Sequence, residues 1–372
     1  MENPFIVAGP IKPEYFCDRK KEAKRIIDCV TTGENIVVMS PRRMGKSKLI
    51  DFCLNDKKIK EHYLTISIDI LRTSSIQEFT YELGRAVFSQ ALRKGEKVLR
   101  MVVNTLRSIN GSFGYDPVNN APTFNLSLGD ITQPQYTLEE IFECIEKSEQ
   151  HCIIAIDEFQ QICYYPDKNM EAILRTHIQR CSNANFIFAG SERHLMDEMF
   201  TEKARPFYNS ASIMSLDAIP LIIYTDFVIE MLAKSGKSVK DEVVDNVYQQ
   251  FDGNTYYMQK VFHDAFNVVS DGGEITQTIV DNVIDTMLQD NDRKFSETLS
   301  RLTLPQKELL YAIAEDKRAT RLTSANFVKR HQLRSASSVQ SALKKLLEYN
   351  IVSQSGTEYY VDDILMQHWL TK

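Results

Sequence analysis

No apolar run in this 372-residue sequence approaches the roughly 18 residues that a membrane-spanning helix needs, so a helical membrane protein is not expected. The opening Met1-Glu2-Asn3-Pro4-Phe5 lacks a basic start followed by an apolar stretch, and a cytoplasmic protein is expected. The seven cysteines, at 17, 29, 53, 144, 152, 163 and 181, are odd in number and none sits at C-x-x-C or Cys/His spacing, which argues against a zinc site. Cys152 and Cys163 flank an apolar run and read as small buried hydrophobes in a reducing compartment. There is no internal repeat and no low-complexity tract. What is present is a folded-protein balance, 43% hydrophobic and 25% charged residues, over a length that suits two or three domains.

Charge is unevenly placed. Residues 301–372 hold 11 Lys+Arg against 7 Asp+Glu, a net +4 within a chain of net −6, which leaves −10 on residues 1–300. A basic C-terminal segment suits an anionic partner, and equally an ordinary solvated surface.

Short runs at 36–39, which is β-branched, and at 63–69, 152–157, 185–190 and 212–216 read as buried strands, and they are separated by helical patterns such as 19–30, 138–148 and 170–181. That alternation predicts an α/β fold whose mostly parallel sheet is covered on both faces. Residues 94–135, with Gly, Asn and Pro clustered over 110–122, read as an insertion holding a hairpin around 123–128. Beyond 221 the strand signals stop, and helices are expected over 225–235, 240–251, 255–269 and 277–289. The last segment gives helices at 305–315, 324–331 and 336–350, strands at 351–355 and 358–361 turning at Gly356, and a final helix at 364–370. This is the order of a winged helix. The expected domains are a core over 1–220, a small helical domain over 221–298 and a winged helix over 299–372.

Ser40-Pro41-Arg42-Arg43-Met44-Gly45-Lys46-Ser47 fits the phosphate-binding pattern G-x-x-x-x-G-K-[ST] at every fixed position but the first, where Ser stands for Gly. In such a loop backbone N–H groups and the next helix N-terminus wrap the phosphates, Lys46 adds charge and the Ser47 hydroxyl binds Mg2+. So short a motif also arises by chance. Its setting decides, because a strand at 36–39 enters the loop and a helical stretch at 48–54 leaves it; the alternative is an ordinary βα turn that happens to hold Lys46. Downstream, the apolar run 152–156 ends in Asp157-Glu158. Packing does not require two carboxylates there, whereas magnesium-nucleotide chemistry needs one to hold the metal's water shell and one to orient the attacking water; the other reading is a cap for the next helix. A third run ends at Gly190-Ser191, where the hydroxyl either joins the crevice beyond the strand ends or caps a helix.

With these residues in place, the chain resembles a family of archaeal and bacterial P-loop ATPases of the AAA+ and STAND superfamily, multidomain proteins with a C-terminal winged helix. The likeness rests on Phe16-x-Asp18-Arg19, Ser40 through Ser47, Ile156-Asp157-Glu158, Phe188-Ala189-Gly190-Ser191, Arg205-Pro206-Phe207 and Gly253-Asn254-Thr255-Tyr256-Tyr257. It implies an additional-strand P-loop core, an α-helical lid, ATP and Mg2+ as ligands, and hydrolysis used as a switch. By the same resemblance Ser40, Pro41, Arg42, Arg43, Met44, Gly45, Lys46, Ser47 and Lys48 hold the nucleotide. Ser47 and Asp157 hold Mg2+, Glu158 orients water, Ser191 senses the γ-phosphate, and Phe16 and Arg19 lie near the adenine. Ser40 departs from the family's glycine and puts the first turn of the loop in question.

An arginine reaching the γ-phosphate accelerates transfer by about 10³ to 10⁵, and Arg205 and Arg193 are the candidates; Arg205 before Pro206-Phe207 equally suits a packed corner. In the winged segment Arg334, Gln340, Lys344 and Lys345 are placed to meet duplex DNA and Lys329 and Arg330 its phosphates. Leu343, Leu346 and Leu347 have core spacing, and a protein partner is the other reading. The expected function is an ATP-hydrolysing switch driving a winged-helix effector. The expected partners are ATP or ADP, DNA or a protein, and further copies of itself in a nucleotide-dependent oligomer. The alternatives are a DNA-binding regulator that holds ATP without turnover, and a phosphotransferase on a small substrate.

Overall fold

In the computed structural model β1 (Ile36–Met39), β2 (Leu64–Asp69), the hairpin β3 (Ser112–Asp116) and β4 (Ala121–Asn125), β5 (Cys152–Asp157), β6 (Ala184–Gly190) and β7 (Ser212–Ser215) follow in chain order. All residues are described except 1, 10, 109–111, 117–120, 126 and 168; for 96, 112–116 and 121–125 only the backbone is. Five strands make one all-parallel sheet in the order β2-β5-β6-β1-β7. β1 and β6 are buried along their whole length, as a strand covered on both faces must be, and their continuous apolar runs supply that.

The contacts divide the chain into two units, residues 19–41 with 46–216, and residues 1–18 with 42–45 and 217–372. In the first, the covering helices are α1 (Lys20–Thr31), α2 (Lys46–Leu54), α3 (Lys57–His62), α4 (Ile76–Lys94), α5 (Glu96–Thr105), α6 (Pro134–Glu146), α7 (Met170–Arg180) and α8 (Arg193–Thr201). α5 corrects the expectation of an irregular insertion from residue 94. It is helical and strongly amphipathic, burying Leu99 and Val102 in the core, but the polar residues 94–97 ahead of it hide the pattern. The expected hairpin exists, displaced toward the N-terminus, because Ser112–Asp116 pairs antiparallel with Ala121–Asn125; residues 110, 111 and 117–120 of the Gly/Asn/Pro cluster, and residue 126 of the expected hairpin, lie outside the described residues. Phe159, Phe188, Phe200 and Phe207 form a fully buried aromatic cluster with ring centroids 4.6 to 6.0 Å apart.

In the second unit α9 (Leu221–Lys234), α10 (Asp241–Gln250), α11 (Thr255–Val268) and α12 (Gln277–Ser300) pack with Phe5, whose ring meets Phe227, Phe262 and Phe266. Strand is not absent here, contrary to expectation, since β8 (Ser238–Val239) and β9 (Glu274–Ile275) form a two-residue parallel ladder. α12 also runs well past residue 289. The polar stretch 289–294 breaks the apolar period, but no Gly or Pro stops the helix before Thr303 and Pro305 begin the next one with a capping box. α13 (Leu304–Asp316), β10 (Ala319–Thr320), α14 (Ala325–Arg330), α15 (Ala336–Glu348), β11 (Val352–Ser355), β12 (Glu358–Val361) and α16 (Ile364–Thr371) complete the winged helix, with β10 adding a short third strand to the wing. Among the described residues no helix is long and apolar enough to cross a membrane.

Candidate functional site

Parallel registry brings the ends of four strands to one edge. Met39 pairs with Gly190, Ile156 with Phe188 and Asp69 with Asp157, and the Ser40 N–H donates to the Gly190 carbonyl at 3.3 Å. β6 lies between β1, which enters the phosphate loop, and β5, which ends in the carboxylates; this is the additional-strand arrangement. Ligands of open parallel sheets bind beyond the strands' carboxyl ends. The loop's left-handed residues are Arg43 at φ 68° and Gly45 at φ 86°. Gly45 needs to be glycine for its backbone, since a Cβ there would meet nothing. Ser40 is not among the positive-φ residues, so serine is accommodated there; its hydroxyl is buried without a hydrogen-bond partner.

Lys46 opens α2 and is 5% exposed, with its ammonium bonded to Asp157 Oδ1 and 3.5 Å from Glu158 Oε1. The Ser47 hydroxyl donates to Asp157 Oδ2. A hydroxyl and a carboxylate in direct contact are the hard oxygen donors that Mg2+ takes, and Lys46 at a helix N-terminus supplies positive charge for phosphate. These residues fit a magnesium nucleotide. Glu158 has a left-handed backbone at φ 55°, unusual for a side-chain-bearing residue, which turns it out of line with the strand. Its Oε2 accepts 2.7 Å hydrogen bonds from both Ser191 Oγ and Gln160 Nε2.

Arg42 and Arg43 are engaged elsewhere. Arg43 contacts Asp363 at 2.9 Å and the Tyr257 hydroxyl, its guanidinium lies 5.4 Å from the Tyr256 ring, and its carbonyl accepts from the Tyr256 N–H at 3.0 Å. Tyr257 donates in turn to Asp363, while Lys294 stands 3.6 Å from Asp363 and Arg42 3.9 Å from Asp362. Burial opposes the charge on Arg43, but Asp363 with the two tyrosines outweighs it and raises the arginine's pKa. Burial raises Tyr257 and Asp362, whose charged forms are the anions. A cavity of about 270 Å³ opens beside these side chains.

Arg205, a candidate for the γ-phosphate, is committed to Glu171 at 3.0 Å and to the Cys163 sulfur at 3.6 Å, the packed-corner alternative. Burial pushes the Cys163 thiol up to about 12 and raises Glu171 against the pull of Arg205. Phe207, two residues on, is fully buried. Arg193 opens α8 directly after Ser191-Glu192. Arg19 is buried at φ 63° and pairs with Glu22 at 2.9 Å. In the winged helix, Arg330 pairs with Asp316, Arg334 with Glu308 at 3.7 Å and Lys345 with Glu348 at 2.8 Å, whereas Lys329, Gln340 and Lys344 are exposed. Leu346 is buried, and Leu343 and Leu347 pack against the core, as their spacing predicts. The sequence reading missed Gln160, Asp362 and Asp363. Gln160 had a faint signal, a polar residue two positions after the acidic pair, while Asp363 serves also as the N-cap of the last helix.

Residues 16–261 match the family described as ATPase domain predominantly from Archaea, and residues 293–372 one described as probable winged helix domain. No curated protein matches the chain. Among solved structures, the Walker-type ATPase paby2304 of Pyrococcus abyssi is similar at 17% identity, with 99% of this chain and 100% of that chain covered and a TM-score of 0.66. The Aeropyrum pernix ORC2 protein, solved in ADPNP-ADP complexes, gives 12% identity, 99% and 97% coverage and a TM-score of 0.59. The ORC1 protein of the same organism, solved in complex with DNA, gives 12%, 99% and 96%, and 0.56. With the family match spanning the phosphate loop, the acidic pair and the start of the helical segment, the chain belongs to the P-loop ATPase family found predominantly in Archaea and ends in a winged-helix domain.

Proposed function

We propose that the protein is a cytoplasmic AAA+/STAND-type molecular switch that binds ATP with Mg2+, hydrolyses it, and couples the nucleotide state to its winged helix. The observation that carries this reading is Lys46, buried against Asp157 and Glu158 with Ser47 on the same carboxylate. An ammonium held there by two carboxylates is ready to exchange one partner for a phosphate oxygen. In this reading Ser47 and Asp157 hold the metal, Glu158 orients water, Ser191 senses the γ-phosphate, and the amides of residues 40–48 wrap the phosphates. Mg2+ held by Ser47 and Asp157 would supply positive charge against the negative charge that develops on the phosphoryl group. Phe16 and Arg19 would border the adenine, and Arg193 is favoured over the committed Arg205 as the stimulating arginine. The functional division would follow a core over 1–220, a lid over 221–298 and an effector over 299–372. Coupling is read from Arg43, which is gripped by Tyr257 and Asp363 in sequence regions far from the loop.

Measuring Mg2+-dependent ATP turnover in the wild type, Lys46→Ala and Glu158→Gln decides the reading. Turnover abolished in both variants is expected, and equal rates in all three would sink it. A second reading, a DNA-binding regulator that holds ATP without turnover, is favoured by Gln340 and Lys344, exposed one turn apart on α15. It predicts a duplex-DNA affinity that responds to ATP while no phosphate is released.

A further inference from the structure

Gln160 is 1% exposed, in a 3-10 turn at Phe159–Tyr164 that directly follows Glu158. Its Nε2 donates to Glu158 Oε2 at 2.7 Å, and since a carboxylate only accepts, that contact fixes which way the amide faces. The other end of the amide, Oε1, is buried without a hydrogen-bond partner. A buried, unpaired carbonyl costs on the order of 1–3 kcal/mol, so an apolar side chain of similar size would serve the core better. Space for the glutamine is left by Gly190, where a Cβ would stand 2.6 Å from Gln160 Oε1 and 2.5 Å from Met196 Cγ. Three features therefore converge on one carboxylate oxygen: a buried amide retained against its packing cost, a glycine that makes room for it, and the Ser191 hydroxyl bonded to the same Oε2. Glu158 Oε1 is left facing the Lys46 ammonium at 3.5 Å.

We propose that Gln160 is a positioning residue for Glu158: with Ser191 it occupies Oε2, so that Oε1 alone is presented to an attacking water. The inference rests on the proposed role of Glu158 in hydrolysis. A carboxylate held by one oxygen keeps the other in a single orientation, and phosphoryl transfer depends chiefly on such positioning. Gln160 touches neither nucleotide nor metal in this scheme and acts only through Glu158.

The test is Gln160→Met, which keeps the volume and removes the donor, with Gln160→Leu as a second variant should the first not fold. A hydrogen bond to a charged group corresponds to a loss of about ten- to a hundredfold in kcat. Affinity for a fluorescent ATP analogue should stay at the wild-type value, and the melting temperature should not fall, since the unpaired carbonyl is removed along with the donor. In a Glu158→Gln background the same substitution should change the residual rate little, because its only route is already cut. A crystal structure of nucleotide-free Gln160→Met should show the Glu158 carboxylate turned from its wild-type position. An unmoved Glu158, or an equal loss with and without the Glu158 carboxylate, overturns the proposal. A moved Glu158 in a protein whose wild type releases no phosphate supports the positioning and instead removes the hydrolytic reading of the site.

Discussion

Replacing Lys46 by alanine removes the ammonium that faces the acidic pair, and it should cost stability even with no nucleotide present. Breaking a buried ion pair from one side costs about 3–5 kcal/mol, because the abandoned charge remains buried. Here the Asp157 and Glu158 side chains are 17% and 15% exposed, so water reaches them in part. Asp157 also accepts from Ser47, and Glu158 from Ser191 and Gln160. These donors lower the expected loss to about 2–3 kcal/mol. For units of this size 1 kcal/mol moves the melting temperature by about 2–4 °C, so the first unfolding transition in chelator should fall by about 4–12 °C. Excess Mg2+ without nucleotide should restore part of that loss in Lys46→Ala, since a divalent cation faces the same two carboxylates and binding to the native state alone stabilises it. Lys147→Ala is the control. Its exposed pair with Glu143 on α6 is worth about 0.3–0.5 kcal/mol and should leave the melting temperature nearly unchanged. If Lys46→Ala melts in chelator at or above the wild-type temperature, the ammonium is not what holds the acidic pair together, and the reasoning fails.

Gly190→Ala should destabilise by about 1–3 kcal/mol through overpacking and lower turnover as well, because the new methyl displaces Gln160 and Met196; a variant with wild-type melting temperature and rate contradicts the packing. His368 is depressed below its usual pKa by burial, partly countered by the Gln250 carbonyl 2.6 Å away, and it packs on Phe251. A base with a lowered folded-state pKa stabilises fully above its unfolded value near 6.5, and that stability is lost as pH falls through the folded value. Thermal melts of wild type should therefore drop as pH falls below about 6.5, and His368→Gln should flatten the drop; parallel curves would refute the assignment.

Much of the core was readable because its signals are local. A strand buried on both faces needs an unbroken apolar run, and Ile36–Met39 and Cys152–Asp157 have the bounds their composition predicts. Where local chemistry was ambiguous, the reading failed in characteristic ways. α12 continues through a polar stretch because nothing breaks it, and α5 was hidden by the charges at its start. β8 and β9 are two residues each, too short for any periodicity to mark them. The doubt over Ser40 came from a pattern that expects glycine, and the backbone shows that the left-handed positions are Arg43 and Gly45 instead.

Chain order alone determined the strand-loop-helix around Lys46 and the carboxylates closing the fifth strand, because each depends on neighbours a few positions away. Only the folded chain decided what those groups touch. Glu158 shares one oxygen between Gln160 and Ser191, Arg205 is spent on Glu171, and Arg43 is held by Tyr257 and Asp363. Partners separated by tens or hundreds of residues are selected by distance and burial in three dimensions, and a one-dimensional pattern carries neither.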